Sequence, residues 1–309
     1  MKPSAPLRSG VTILSPLRYP GAKRRLSSYV AEVLRINSLR PKLFVEPFAG
    51  GLSVALQLLD DNCVEKIAVG EKDPRVASFW KTVFNDSQWL IDAINSTPVT
   101  LKEWDYFRNT SFRRTRDLAL ACIFLNRTSF SGILASSAGP IGGRHQLSPH
   151  KIDCRFNVNM LTKRIRQAAK LRDRVLFVER GDWRDTISKA RKLKFKKNEV
   201  FYYLDPPFYN KAERLYPHYF DDKNHRELHD LLSRLKQPWL LSYDKAESII
   251  AMYSHNGYGP THIDILYSVA SASNRPQSQE VVITNLQKLP NETRIWKSKE
   301  EWKLKSAPR

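Results

Sequence analysis

The feature that most constrains the fold is a regular alternation of short apolar runs with longer amphipathic segments. Apolar runs rich in branched and aromatic side chains predict buried strands, and the segments between them have the 3.6-residue period of helices. Strands are expected at Leu43–Glu46, Lys66–Val69, Val175–Glu179, Val200–Leu204, Trp239–Ser242, His262–Tyr267 and Glu280–Asn285. Strands that alternate with helices form a mostly parallel sheet with helices on its faces, so an α/β fold is predicted.

The alternation breaks between residues 87 and 171, where the pattern is helical and then polar. Helices are expected around Leu101–Arg108 and Arg116–Asn126, followed by a Gly/Ser-rich passage at 129–143 and a basic segment that includes Lys163 and Arg164. We expect residues 87–171 to form an inserted, mainly helical subdomain, with residues 1–86 and 172–309 forming the main domain. A lid or a packing insert is the alternative.

The charge balance of the chain points to a polyanionic partner. Lys and Arg number 51 against 31 Asp and Glu, which gives a net charge of +20. A field of this sign attracts nucleic acids, because each phosphate neutralised by a basic side chain releases condensed counterions.

Three cysteines without a CxxC pair fit a reducing compartment, and the longest apolar run, Leu118 to Leu125, is too short to span a membrane. No apolar stretch of signal-peptide length occurs near the start. A cytoplasmic protein without a membrane segment is expected.

The strongest chemical motif is Asp205-Pro206-Pro207-Phe208, directly after an apolar strand. The exocyclic amine of a nucleobase is a poor nucleophile, because its lone pair is delocalised into the ring. The Asp205 carboxylate and the Pro206 carbonyl, held by a rigid proline pair, would accept its two N–H bonds and localise that lone pair. Phe208 offers a face on which an extruded base can stack. An ordinary turn after a strand has the same residue types.

Further motifs follow the other predicted strands. The segment from Phe44 to Ser53 is predicted to form the end of a strand, a glycine turn and the start of a helix. Its glycines have neither the spacing of the dinucleotide-binding motif nor that of the P-loop. About 20 residues later, Glu71 and Asp73 end the next strand, where a carboxylate can accept ribose hydroxyls. A carboxylate at Asp182 follows the Val175–Glu179 strand.

Taken together, these residues resemble the DNA adenine-N6 methyltransferases of the Dam type. The resemblance rests on Tyr-Pro-Gly-Ala-Lys at 19–23, Glu-Pro-Phe-Ala-Gly-Gly at 46–51, Glu71, a basic insert, Gly181-Asp182 and Asp205–Phe208, in that order. Shorter matches occur at 124–132, 215–225 and 239–243. It implies a Rossmann-like methyltransferase sheet with a helical target-recognition insert, and S-adenosyl-L-methionine as the methyl donor.

The family pattern also implies roles for individual residues. Tyr19, Lys23, Phe48, Gly50, Glu71, Asp182 and Asp205 are expected to contact the cofactor. Asp205, Pro206 and Phe208 are expected to act on a flipped-out adenine. Arg127 is expected to contact DNA, and Lys163 and Arg164 are expected to do so as members of the basic segment. Two positions depart from the family, since Glu71 replaces the usual Asp and Phe208 the commoner Tyr.

Several alternatives stay open from the sequence. The partner implied is double-stranded DNA, with a cognate restriction nuclease as a further candidate partner, and RNA is an alternative substrate. The same motif also suits cytosine N4, and a non-catalytic DNA-binding protein would keep the fold. His225 and His229 lie on one helix face but fit no zinc motif, so no metal site is expected.

Overall fold

A computed structural model of the protein describes residues 15–18, 26–209, 220–255, 257–266 and 277–295. In these ranges eight strands form one sheet, in the order β3-β2-β1-β4-β5-β7-β6-β8. The strands are β1 (Leu43–Glu46), β2 (Lys66–Glu71), β3 (Val175–Arg180), β4 (Val200–Leu204), β5 (Trp239–Asp244), β6 (Thr261–Leu266), β7 (Gln277–Thr284) and β8 (Arg294–Ile295).

Helices occupy most of the chain between the strands. They are α1 (Leu26–Ile36), α2 (Ser53–Asp60), α3 (Pro74–Asn85), α4 (Ser87–Ser96), α5 (Leu101–Asn109), α6 (Thr115–Thr128), α7 (Val158–Ala169), α8 (Trp183–Arg191), α9 (Asp222–Arg234) and α10 (Glu247–Ser254). None of the helices in the described ranges combines the length and the apolar character that crossing a bilayer requires.

The first five strands are parallel, and their order reverses between β1 and β4. The chain runs outward from β1 to β2 and β3, then returns to β4, which pairs with the other side of β1 through Leu43↔Val200 and Val45↔Tyr202. Such a reversal opens a crevice at the carboxyl ends of the two central strands, where open α/β sheets bind ligands. The loops after β1 and β4 therefore flank the expected ligand site.

Alternate side chains of the central strands enter two cores, one on each face of the sheet. Phe44 and Phe201 pack with α1, α2, α3, α6 and α7 on the first face, whereas Val45 and Tyr202 pack with α8, α9 and α10 on the second. Strands buried on both faces read as continuous apolar runs, which is why the sequence revealed β1 and β4 to the residue. The predicted α/β fold, a Rossmann-like sheet with helices on both faces, is confirmed.

The two late strands run antiparallel to their neighbours at the β5 edge of the sheet. β7 pairs with β5, for example Ser242↔Val282, and β6 pairs with the outer side of β7. β6 begins one residue and β7 three residues before the predicted position. Tyr267, the last residue of the predicted sixth strand, lies outside the described residues.

The segment 87–171 contains α4 to α7 and a 3-10 turn at Phe130–Gly132. Helix α6 is buried along most of its length and packs on α3, in the same core as the sheet. A division of the chain into a catalytic domain and a target-recognition insert at these boundaries stays a prediction.

Candidate active site

The loop after β1 is fixed by the neighbouring strand and by α3. Ala49 N–H donates to the Gly70 carbonyl at 2.8 Å, and Trp80 Nε1 donates to the Gly50 carbonyl at 2.9 Å. Gly50 has a φ of +43°, in the left-handed region that glycine adopts without strain. The backbone thus turns sharply at the crevice and presents no side chain there.

Glu71, the last residue of β2, bridges this loop and the start of α3. Its Oε2 accepts from Gly50 N–H at 2.8 Å and its Oε1 from Asp73 N–H at 2.9 Å. Burial raises the pKa of the Glu71 carboxyl to about 7, although these backbone donors favour the charged form. A carboxylate has about four acceptor positions, so the two oxygens keep capacity for two further donors, such as the hydroxyls of a ribose.

Asp73, the other residue that the sequence suggested as a ribose ligand, caps helix α3 instead. Its carboxylate accepts from Arg75 N–H at 2.8 Å as the N-cap of α3, with Pro74 at the first helical position. It also pairs with the Arg75 guanidinium at 3.1 Å. The geometry favours Glu71 over Asp73 as the residue that faces the glycine loop.

Glu46 is a candidate site residue that the sequence reasoning missed. It ends β1, is 3% exposed, and its Oε2 accepts from Ala55 N–H in α2 at 3.1 Å. Burial raises the pKa of Glu46 well above its ordinary range, and the nearby charge of Asp205 raises it further. The signal in the sequence was an acid at the end of an apolar strand.

Asp205 lies across the crevice, just after β4, and is oriented by β5. Ser242 Oγ donates to Asp205 Oδ1 at 2.9 Å, and Tyr203 Oη lies 3.1 Å from the same Ser242 Oγ. Because the Ser242 hydroxyl has one hydrogen, it accepts from Tyr203 when it donates to Asp205. Ser242 was not predicted from the sequence as a site residue. The signal was a polar residue near the end of the apolar strand that begins Trp-Leu-Leu.

The rest of the Asp-Pro-Pro loop is also held in place. Pro206 is buried, and Phe208 is half-buried. Tyr209 N–H donates to Asp244 Oδ1 at 2.8 Å, and the Tyr209 hydroxyl donates to Asp222 at 3.0 Å. The loop therefore holds Asp205 and Phe208 between fixed ends.

An aromatic group lines the side of the crevice near α8. Phe48 is half-buried, and its ring lies 6.5 Å from that of Trp183 and 5.6 Å, edge to face, from that of Phe220. Asp182 caps α8 by accepting from Arg184 N–H at 3.1 Å, and its carboxylate also pairs with the Arg184 guanidinium at 2.7 Å. The predicted contacts of Phe48 and Asp182 with the cofactor stay predictions.

The residues predicted to contact DNA differ in their surroundings. Arg127 is 3% exposed and its guanidinium donates to the Pro16 carbonyl, with the Nε bond at 2.8 Å. In this arrangement the Arg127 guanidinium is occupied by backbone, and its predicted contact with DNA stays a prediction. Lys163 is exposed on α7, and the half-buried Arg164 donates to the Ser15 carbonyl at 3.1 Å.

Two predicted cofactor contacts, Tyr19 and Lys23, lie outside the described residues. Among the residues that the structure describes, no group of three or more His, Cys, Asp or Glu side chains could hold a metal ion. His225 Nδ1 instead lies 2.7 Å from the buried Tyr243 hydroxyl, which gives this ring a packing partner.

The solved structures that the chain matches at low sequence identity include methyltransferases. A protein of Pyrococcus horikoshii that carries a provisional assignment as an RNA methyltransferase is 8% identical, with a TM-score of 0.40, over 91% of this chain and 90% of that one. A precorrin-6y C5,15-methyltransferase of Geobacter metallireducens is 9% identical, with a TM-score of 0.35, over 84% of this chain and 86% of that one. A search of curated protein sequences gave no match.

A family model gives the decisive comparison. The model described as D12 class N6 adenine-specific DNA methyltransferase matches residues 19–269. That range contains the glycine loop, Glu71, the helices of 87–171 and the Asp205 loop, so it includes both sides of the crevice. The protein is therefore a methyltransferase enzyme that belongs to the D12 class N6 adenine-specific DNA methyltransferase family.

Proposed function

We propose that the protein transfers a methyl group from S-adenosyl-L-methionine to N6 of an adenine that is flipped out of double-stranded DNA. The observation that carries the proposal is the placement of Asp205 at the switch point of the sheet, with its carboxylate held by Ser242 and the Pro206 carbonyl next to it in the chain. Family membership supports the adenine substrate.

The crevice suits the cofactor at two places. Glu71 keeps acceptor positions beyond its bonds to Gly50 and Asp73, which fits the two ribose hydroxyls. The buried Glu46 and the glycine loop would hold the methionine part, since an ammonium group stabilises a buried carboxylate. Bound there, S-adenosyl-L-methionine supplies a methyl group that is activated by the positive sulfonium.

The protein's own contribution is to orient and polarise the amine. Asp205 and the Pro206 carbonyl accept the two N–H bonds of the exocyclic amine and direct its lone pair toward the methyl carbon. Phe208 stacks on the extruded base, which fixes the plane of the ring. Correct positioning supplies much of the acceleration in a displacement of this kind.

The reaction balances without any further reactant. The lone pair of N6 forms the new bond to carbon, the electron pair of the broken carbon–sulfur bond remains on sulfur, and one amine proton passes through Asp205 to water. DNA reaches the crevice because a chain of net charge +20 attracts phosphates.

The test is nucleoside mass analysis of methyl-free plasmid DNA after incubation with the protein and S-adenosyl-L-methionine. N6-methyladenine should form with the wild type and fall at least about a hundredfold with Asp205→Asn, because polarisation of the amine is lost. The variant should still bind the cofactor. N4-methylcytosine would reassign the base, and methylation of RNA alone, with no DNA product, would refute the DNA substrate.

A further inference from the structure

Helices α6 and α7 hold the short N-terminal segment 15–18 through backbone contacts. Asn126 Oδ1 accepts from Arg18 N–H at 2.7 Å, and Asn126 Nδ2 donates to the Arg18 carbonyl at 2.8 Å. Arg127 and Arg164 donate to the carbonyls of two earlier residues, Pro16 and Ser15. These contacts fix the position of Arg18 relative to both helices.

Positive charge accumulates at this junction. Phe156, the neighbour of Arg155, packs on Phe124 of α6 with ring centroids 5.6 Å apart, so Arg155 approaches the helix that also holds Arg18. The charges of Arg164, Arg18 and Arg155 all act on Arg127. Burial, and then the charges of the other three, lowers the pKa of Arg127 to about 9. Burial, and then the charge of Arg155, lowers the pKa of Arg18. Within the described ranges no carboxylate forms an ion pair with Arg18, Arg127 or Arg155.

The four arginines differ in what they can reach. Arg127 is buried and bound to backbone, so it serves as a positioning residue for the segment 15–18. Arg155 is exposed and Arg18 is half-buried, and neither guanidinium makes a hydrogen bond within the described residues. Two cations with free donors beside a buried third cation form a site that an anion would stabilise.

The surroundings of the junction favour a nucleic acid over a small anion. The turn Phe130–Gly132 rests on Arg18, since a Cβ at Gly132 would lie 2.2 Å from the Arg18 carbonyl oxygen. The same turn presents Phe130, which is 66% exposed, to solvent. An exposed aromatic ring next to cations is typical of nucleic-acid surfaces, where rings stack on bases and cations bind phosphates.

The junction also lies near the ligand edge of the sheet. Arg75, at the start of α3 just after β2, donates to the Leu134 carbonyl at 3.2 Å, in the loop that continues from the Phe130–Gly132 turn. The loop is thus tied to the carboxyl edge of the sheet, where Glu71 and Asp205 lie.

We propose that Arg18 and Arg155 bind a phosphodiester group of the DNA substrate, on a site that Asn126 and Arg127 hold in place. The proposal rests on the proposed DNA methyltransferase function and names a phosphate contact for it. Unlike the buried Arg127, Arg155 is exposed to solvent and Arg18 is half-buried.

The test measures how salt affects DNA binding by Arg155→Gln and Arg18→Gln. The binding of a labelled methyl-free duplex is followed by fluorescence anisotropy between about 50 and 200 mM salt. Each phosphate contact contributes about 0.9 to the slope of log K against log salt, or about 3.5-fold in affinity over this range. Each variant should therefore lose about one unit of slope.

Lys66→Gln is the matched control, because Lys66 is exposed and begins β2. It therefore lies at the amino ends of the parallel strands, whereas Glu71 and Asp205 lie at their carboxyl ends. It removes the same charge and should leave the slope unchanged. Arg155→Gln should bind S-adenosyl-L-methionine with wild-type affinity in a calorimetric titration, which separates a phosphate contact from a general structural defect.

The outcomes separate the proposal from the function on which it rests. Slopes for both arginine variants equal to that of Lys66→Gln would overturn the phosphate site while leaving methylation intact. A reduced slope in a protein that methylates no DNA would support the site and refute the proposed reaction. Stabilisation by inorganic phosphate, with unchanged DNA slopes, would assign the site to a free anion and overturn the DNA contact.

Discussion

Replacing Glu71 with glutamine should change how the stability of the protein depends on pH. Burial raises the pKa of Glu71 to about 7 in the folded protein, against an ordinary value of 4.5. Between these two values the unfolded chain has released this proton, whereas the folded protein still holds it. Raising the pH through this window therefore favours the unfolded chain, so the free energy of unfolding falls.

The size of the effect follows from the two pKa values. A difference of about 2.5 between them corresponds to about 3 kcal/mol, since each tenfold change in proton affinity is worth about 1.4 kcal/mol. This contribution is fully present below about pH 4.5, decreases as the pH rises and is lost above about pH 7. The amide of the Glu71→Gln variant carries no titrating proton, so the variant should lack this decrease.

The assay is urea unfolding of the wild type and of Glu71→Gln at several pH values between about 4.5 and 8, without cofactor. The glutamine side chain of the variant will lower the free energy of unfolding by an amount that does not depend on pH. Its amide nitrogen is a donor, and it faces a backbone N–H, of Gly50 or of Asp73, that is also a donor. The informative quantity is therefore the change with pH in the difference between the two proteins. A difference that stays constant over the whole range would show that Glu71 is ionised throughout and refute the reasoning.

Three further predictions concern binding and catalysis. If the ionised Glu71 accepts the ribose hydroxyls, the affinity of the wild type for S-adenosyl-L-methionine should rise about tenfold from pH 6 to pH 8, measured by calorimetry, and Glu71→Gln should show no such rise. Ser242→Ala removes the donor to Asp205 and should lower kcat about tenfold with an unchanged KM for the cofactor. Ser242→Thr keeps a hydroxyl and should retain the wild-type rate. Equal rates for the wild type and both variants would contradict a positioning role. Phe208→Ala should lower single-turnover methylation about ten- to a hundredfold through lost stacking, whereas Phe208→Tyr should retain it; a slow Tyr variant would argue against stacking as the function of this ring.

The parallel half of the sheet could be predicted from the sequence, because its central strands are buried on both faces. β1 and β4 begin and end where their apolar runs do, at Leu43–Glu46 and Val200–Leu204. The two late strands, β6 and β7, begin one and three residues before their predicted first residues. β7 has an exposed polar residue, Gln279, near its start, so its apolar run begins later than its backbone pairing with β6.

The candidate site could be predicted only in part, since the sequence shows which residues follow a strand and not which atoms they meet. The Asp205 loop and Glu71 follow strands and were identified. Ser242 acts across the sheet on a carboxylate 37 residues away in the chain, a contact that no local pattern records. Arg127 was assigned to DNA from the family resemblance, and its burial by the segment 15–18 is a tertiary property that the sequence does not show.

The two substrates of the proposed reaction, S-adenosyl-L-methionine and DNA, require electrostatic fields of opposite sign. The cofactor carries a sulfonium cation, and DNA is a polyanion. A chain of net charge +20 would repel the first while attracting the second. Glu46 and Glu71 end β1 and β2, and Asp205 directly follows β4, so these three carboxyls can reverse the sign locally when they are ionised. Burial raises the pKa of Glu46 and of Glu71, and a bound sulfonium or ammonium would favour the ionised form of each carboxyl.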